Sequence, residues 1–172
     1  MKKEEENKPA NNRRDFIKTS AMAAAAFMIV PRHVLGRGFV APSDRLLIAS
    51  IGVGGKGQSD VAMFDKSGKA NIAYLCDVDT RRAANSVNAF PKAKFYKDWR
   101  EMLDKEHKNF DAVSVSTPDH THAIAALAAM QLGKHVYVQK PLAHDIYEAR
   151  ILTEAAKKYK VVTQMGNQGA SN

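Results

Sequence analysis

The sequence predicts a doubly wound α/β domain over residues 46–166, and three observations predict it. Short apolar runs alternate with stretches of helical composition at near-regular intervals, the pattern of strand–helix–strand units that build a parallel sheet. The first run leads directly into a glycine-rich segment, Gly52-Val53-Gly54-Gly55-Lys56-Gly57. The second ends in an acidic residue, Asp77, 20 residues beyond Gly57.

Taken in order, strands are expected at Leu46 to Ile51, Ile72 to Asp77, Lys94 to Tyr96, Ala112 to Ser116, Val136 to Gln139 and Val161 to Met165. They are continuous apolar runs rather than alternating ones, as strands covered on both faces require. Helices are expected at Gly57 to Lys66, Thr80 to Phe90, Asp98 to Glu106, Thr121 to Leu132 and His144 to Tyr159. Asp98 is placed to cap the third and Gly133 to end the fourth. In the fifth, Ile146, Ala149, Leu152, Ala155 and Ala156 fall on one stripe, which should lie on the sheet. Trp99 and Met102 are assigned to the core beneath their own helix.

With 172 residues the chain has room for one ordinary domain and a tail, not for two full domains. No apolar run reaches the roughly 18 to 20 residues of a membrane span. The net charge is +8, but eight of the 26 basic and four of the 18 acidic residues lie in the first 37. The remainder carries +4 without aromatic residues alternating with Lys and Arg, which argues against nucleic acid as a partner. The single cysteine, Cys76, excludes an intramolecular disulfide and a cysteine-based metal cluster, and its place in an apolar run reads as a small buried hydrophobe.

The glycine segment fits G-x-G-x-x-G, and its context gives the pattern meaning: a strand runs in and a helix leaves. Gly52 permits the tight turn, Gly54 lets a pyrophosphate approach, and Gly57 lets the helix pack close to the strand. With Gly55 and Lys56 these residues form the expected phosphate-binding loop, at which free N–H groups and the helix dipole favour an anion. Asp77 stands where such a unit meets the adenosine ribose; a carboxylate there accepts from the 2′-hydroxyl and repels a 2′-phosphate. NAD is therefore favoured as cofactor, with NADP left open by Arg81 and Arg82, whose guanidinium groups suit a 2′-phosphate or stacking on adenine.

Residues 1–36 read as an address. A polar lead precedes Asn12-Arg13-Arg14-Asp15-Phe16-Ile17-Lys18, followed by the apolar stretch Ala21 to Val30 and Pro31. This order resembles a twin-arginine export signal, which implies a periplasmic destination. Cleavage between Ala26 and Ala41, or retention as an anchor, both stay open. That route carries folded proteins, which suits a chain that must take up a cytoplasmic cofactor before it leaves. Residues 37–45 are the expected linker into the domain.

Two further strand ends name a family. Ala112-Val113-Ser114-Val115-Ser116 is followed by Thr117-Pro118-Asp119-His120-Thr121-His122, and Val136-Tyr137-Val138 by Gln139-Lys140-Pro141. With the glycine loop and Cys76-Asp77-Val78-Asp79, these resemble the Gfo/Idh/MocA family, named for glucose-fructose oxidoreductase and inositol dehydrogenase. The resemblance covers roughly Leu46 to Asn172. It implies that Thr117, Pro118 and His122 contact the nicotinamide half of the cofactor. It implies also that Gln139, Lys140 and Pro141 stand in the family's E-K-P motif, with the lysine beside the nicotinamide and the reacting hydroxyl, and the proline often after a cis bond. Lys140 is thus the expected catalytic residue, polarising the substrate oxygen or moving its proton. An amide at Gln139 still hydrogen-bonds a ribose hydroxyl but brings no charge to its neighbour. Asp119, His120 and His122 converge too poorly for a metal site, and none is expected.

Thr163 to Asn172 resembles the M-G-N-Q segment of exported relatives, with residues 167–172 beginning the crossover to a second domain. Relatives commonly carry a histidine where this chain has Ala170. The second α/β domain, which in the family builds the substrate pocket, is expected to be absent from this chain. Homo-oligomerisation through that domain is left open. The resemblance implies an NAD(P)-dependent oxidoreductase that moves a hydride between a secondary alcohol of a sugar, glycoside or cyclitol and nicotinamide. Two alternatives stand beside it: an NAD-dependent glycosidase using transient oxidation, and a truncated, non-catalytic dinucleotide-binding fragment.

Overall fold

In the computed structural model, residues 44–170 are described. The export-signal segment and the linker up to residue 43 lie outside them, as do residues 171 and 172. Six strands form one parallel sheet in the order β3-β2-β1-β4-β5-β6: β1 Leu46–Ile51, β2 Ala70–Cys76, β3 Lys94–Tyr96, β4 Ala112–Val115, β5 His135–Gln139 and β6 Thr163–Gly166. Five α-helices connect them: α1 Lys56–Lys66, α2 Thr80–Ala89, α3 Trp99–Glu106, α4 His122–Gln131 and α5 Ile146–Tyr159. The strand order turns back between β1 and β4, so the chain leaves the sheet in opposite directions there and opens a crevice at the carboxyl ends of the strands.

The two faces of the sheet bury different side chains. Ile48, Ile72 and Leu75 pack with Val61 of α1 and Ala83 of α2 on one face. Ile51, Val113, Val115, Val136 and Val138 pack with Met102 of α3, Ala125 and Ala129 of α4 and Leu152 of α5 on the other. Alternation produces this split, because successive side chains point to opposite faces, and one extra residue in β2 between Ile72 and Tyr74 brings Leu75 onto the face of Ile72. The alanines of α4 let that helix approach closely: Ala125, Ala126 and Ala129 have no exposed surface. Two serines interrupt the apolar strands without cost, since the buried Ser114 hydroxyl donates to Ser50 Oγ at 2.9 Å across the β1–β4 pair.

Helix ends follow from local chemistry. Asp79, Asp98 and Asp145 cap α2, α3 and α5 by accepting backbone N–H groups with their side chains. Asp145 rather than His144 therefore sets the start of α5, two residues later than expected. Ile146 is exposed at 73% and leaves the predicted stripe, which is carried by Leu152 and Ala155. Gly133, at φ +72°, turns the chain just beyond α4.

At the β3 edge a buried carboxylate gathers four donors. Glu106 accepts from Lys94 Nζ at 2.6 Å, Tyr96 Oη at 2.5 Å, Asn109 Nδ2 at 2.9 Å and Tyr74 Oη at 3.0 Å. The Lys94 ammonium first, then the Tyr96 hydroxyl and the Asn109 amide, hold its carboxyl down at about 2. A carboxyl depressed by folding stabilises fully above its unfolded value and loses that contribution as the pH falls through the folded one. Glu106→Gln is therefore expected to lower the urea midpoint at neutral pH. The gap from the parent should narrow as the pH falls from 4.5 toward about 2, and paired urea titrations at neutral pH and near that lower limit check it.

Candidate functional site

A groove of about 400 Å³ lies over the carboxyl ends of β1, β2 and β4, where the strand order turns back. Its walls come from Ile51 at the end of β1, from Gly52, Gly54 and Lys56 of the glycine loop, from residues 76–79 at the end of β2 and just beyond it, and from Ser116, Thr117 and Pro118 beyond β4. Arg82, Lys97 and Trp99 complete it.

The glycine loop is shaped by close approaches. Gly52 has φ +79°, and its N–H donates to the Cys76 carbonyl at 2.8 Å, which ties the turn to β2. A β-carbon there would stand 2.8 Å from the Ser116 carbonyl carbon and the Thr117 nitrogen, so only glycine lets the β1 and β4 loops touch. A β-carbon at Gly57 would fall inside the Gly52 carbonyl oxygen, so the first turn of α1 rests directly on the loop. At Gly54 the neighbour is Arg82, whose Cβ would be 2.9 Å away. Helix α1 has neither a side-chain cap nor an acidic residue in its first turn, unlike the aspartate-capped α2, α3 and α5. The Gly57 N–H donates to the Gly54 carbonyl at 3.1 Å, which leaves the other N–H groups of that first turn to face the oxygens of a pyrophosphate.

Asp77 forms the opposite wall. One carboxylate oxygen accepts the Gly54 N–H and the other the Asp79 N–H, each at 3.0 Å. Each oxygen keeps lone pairs for a ribose diol. Cys76, the last residue of β2, is buried, and that burial first, then the charges of Asp77 and Asp98, push its thiol up to about 12. It is a neutral apolar side chain in the groove floor.

Several expected contacts fall elsewhere. Arg81 is turned out: its side chain is 91% exposed and pairs with Asp79 at 3.4 Å, while its neighbour Arg82 lies over the glycine loop. Consecutive helical residues point about 100° apart, so one of the two has to leave. His122 is fully buried, its Nδ1 at 2.7 Å from the Pro141 carbonyl and its Nε2 at 2.7 Å from the Thr117 carbonyl. It clasps the β4 and β5 loops together instead of facing a ligand. His120 stays exposed beside Asp119 at 3.7 Å, so the two histidines do not share a ligand position. Gln139 is likewise buried, with its amide nitrogen donating to Asp60 and its amide oxygen accepting the Lys140 N–H. Lys140 and Pro141 are joined by a cis bond and lie beyond the groove at the β5 end, with the Lys140 side chain exposed. Gly55 and Gly57 shape the loop without lining the groove.

Two participants, a groove-lining Trp99 and Asp60, escaped sequence reasoning, and a third, Arg82, was named only together with Arg81. Trp99, assigned there to the core, packs partly against it and also lines the groove, with the Arg100 guanidinium 4.4 Å from its ring centre. Asp60 is 5% exposed and receives Lys56 Nζ at 2.6 Å, Ser116 Oγ at 2.8 Å and Gln139 Nε2 at 2.9 Å. A carboxylate on the inward side of the helix that leaves the glycine loop is the signal that could have found it.

The groove fits a dinucleotide on the structure's own terms: close-packed glycines, an uncapped helix start, a carboxylate wall and an apolar floor. Among the described residues no group of three or more His, Cys, Asp or Glu side chains is placed to hold a metal, and no helix is long and apolar enough to cross a membrane.

Comparison with known proteins agrees with this geometry. Residues 46–167 match the model of an oxidoreductase family with an NAD-binding Rossmann fold, GFO_IDH_MocA. A glycosyl hydrolase family 109 protein of Shewanella sp. strain MR-4 is 32% identical over 151 residues, covering 80% of this chain and 32% of the relative. An alpha-N-acetylgalactosaminidase of Shewanella oneidensis is 29% identical over 161 residues, covering 86% and 35%. The crystal structure of GenD2 from gentamicin A biosynthesis, in complex with NAD, superposes with a TM-score of 0.67 at 27% identity, covering 80% of this chain and 37% of that one. The chain spans about a third of the length of these curated relatives. With a Rossmann sheet, a glycine loop and a matching family model over most of its length, this chain belongs to the Gfo/Idh/MocA family of NAD-binding oxidoreductases.

Proposed function

We propose that residues 46–166 are the cofactor domain of an exported NAD-dependent enzyme that oxidises or reduces a secondary alcohol of a sugar, glycoside or cyclitol. The observation that carries it is the groove itself: Gly54 and the start of α1 at the pyrophosphate, Asp77 at the ribose, and Thr117 and Pro118 leading toward the β5 turn. Nicotinamide, when bound, supplies the hydride acceptor or donor. The chain's own residues do the rest. The glycine loop fixes the phosphates, the β4 loop orients the ring end, and Lys140 is the group that holds or moves the hydroxyl proton of the substrate. The substrate walls belong to the remaining length that relatives possess, with residues 167–172 leading toward it.

Export is part of the same reading. The paired Arg13 and Arg14, Phe16, Lys18 and the apolar Ala21 to Val30 support a twin-arginine signal over residues 1–36, a linker over residues 37–45 and a periplasmic location. Fusing residues 1–45 to a reporter that works only in the periplasm tests this; export that survives Arg13→Lys with Arg14→Lys rules it out.

The relatives named as glycosyl hydrolases and as an alpha-N-acetylgalactosaminidase favour a second reading, in which bound NAD is reduced and then reoxidised while a glycosidic bond is cleaved. Incubating the full-length protein with glycosides and following nicotinamide absorbance separates the two: a lasting change marks a dehydrogenase, released sugar without one marks a glycosidase.

Asp77 sets cofactor choice in either case. Asp77→Ala is expected to weaken NAD binding about 10- to 100-fold, the worth of hydrogen bonds to a charged acceptor. It should narrow the preference over NADP, because the charge that repels a 2′-phosphate is gone. Calorimetric titration with both nucleotides gives the two constants.

A further inference from the structure

We infer that Asp60 is a positioning residue that fixes the β5 turn, and with it the backbone of Lys140, to the helix leaving the glycine loop; this rests on the nucleotide reading of the groove. The contacts form one unbroken chain. Lys56 Nζ donates to Asp60 Oδ1 at 2.6 Å, and Gln139 Nε2 donates to Asp60 Oδ2 at 2.9 Å. Gln139 Oε1 then accepts the Lys140 N–H at 2.9 Å. Ser116 Oγ joins on the same Asp60 oxygen at 2.8 Å, bringing in the β4 end. Asp60 and Gln139 are 5% and 4% exposed, so the bond between them is shielded from competing water, while those to Lys56, Ser116 and the Lys140 N–H are partly shielded.

A buried carboxylate is a poor way to stabilise a core, since apolar packing of the same volume does as well or better. What it offers instead is direction. Asp60 accepts only, so each partner must present a donor, and Gln139 can present one only with its nitrogen toward Asp60 and its oxygen toward Lys140. The orientation of the amide is thereby fixed, and so is the start of the turn that carries Lys140. The Asp60 charge also reaches Tyr137 on the same strand, whose hydroxyl is pushed up by burial first and by Asp60 second. A glutamate at 139 would set two carboxylates against each other at hydrogen-bond distance and reverse the arrangement.

The test uses the full chain, with NAD and ADP as calorimetric probes, because ADP occupies the glycine-loop end alone and NAD needs the β5 end as well. Gln139→Glu is expected to weaken NAD about tenfold or more while changing ADP less than about threefold. Adding Asp60→Asn to it supplies an amide donor facing the new carboxylate, and should return NAD to within about threefold of the parent. Should Gln139→Glu fail to fold, Gln139→Ala carries the same test without a charge clash and should show the same selective loss. Equal losses for NAD and ADP, no loss, or no recovery in the double variant overturn the role of Asp60 alone. A parent chain that binds neither nucleotide overturns the groove reading and this inference together.

Discussion

Gly57→Ala is expected to destabilise the domain by more than about 4 kcal/mol, in the range reserved for changes that rearrange a packed backbone. Alanine is ordinarily the better helix former by about 1 kcal/mol, so propensity alone predicts a gain. The clash decides the sign. The new β-carbon falls inside the Gly52 carbonyl oxygen, stands 2.8 Å from the Gly52 carbonyl carbon and 3.2 Å from the Ser116 Cβ. The first two atoms are backbone and cannot rotate aside, so α1 has to lift from the loop. That movement separates Gly54 from Asp77 and breaks the 3.0 Å bond between them. NAD binding should then fall beyond detection by calorimetry even in material that remains folded. Gly68→Ala provides the contrast. Gly68 has φ +68° and nothing within 4 Å of a β-carbon, so its cost is backbone strain alone, about 1–2 kcal/mol, with NAD affinity intact. Urea unfolding of both variants, followed by titration with NAD, distinguishes a packing clash from a loss of conformational freedom. Comparable stabilities for the two would mean that α1 sits farther from the loop than the structure shows.

The parts of this site that were legible in the sequence are those that the backbone itself enforces. Gly52, Gly54 and Gly57 announce a close approach wherever a strand precedes and a helix follows, and β1 was read from Leu46 to Ile51 as it is found. Asp77 was legible because strand length fixes where β2 ends, close to Cys76. What spacing does not encode is the rotation of a helix about its axis. Arg81 and Arg82 are adjacent in sequence, yet only the placement of α2, set by its Asp79 cap, brings Arg82 over the glycine loop. Asp60 was passed over for the same reason: a polar residue in α1 reads as solvated until β4 and β5 are seen to bring Ser116 and Gln139 against it. His122 shows the reverse case, a motif histidine whose ring is taken up by two backbone carbonyls and leaves the groove to Thr117 and Pro118. A sequence names donors and acceptors; it does not say which of them are already spent on each other.

Lys140→Met separates chemistry from binding. In the full-length protein it should reduce kcat about 10²- to 10⁴-fold, the span that proton transfer by a positioned side chain covers. Binding of NAD should change little, for a structural reason: the contact that ties residue 140 to the site runs from its backbone N–H to Gln139 Oε1, and methionine keeps that N–H. The Lys140 side chain is exposed and does not line the groove, so neither the glycine loop nor Asp77 loses a neighbour. Stability should accordingly stay within about 0.5 kcal/mol of the parent, as for a surface substitution. A fall in kcat at constant KM for NAD, together with an unchanged urea midpoint, is the signature of a lost proton carrier. A rise in KM for NAD with kcat preserved would instead assign Lys140 to the cofactor, and turnover within tenfold of the parent would move the proton to another side chain. The same measurement serves both catalytic readings, since a dehydrogenase and a glycosidase that oxidises transiently must each remove one hydroxyl proton as the hydride leaves carbon. In each, the exposed end of Lys140 beyond the cis Lys140–Pro141 bond is the chain's own candidate to receive it.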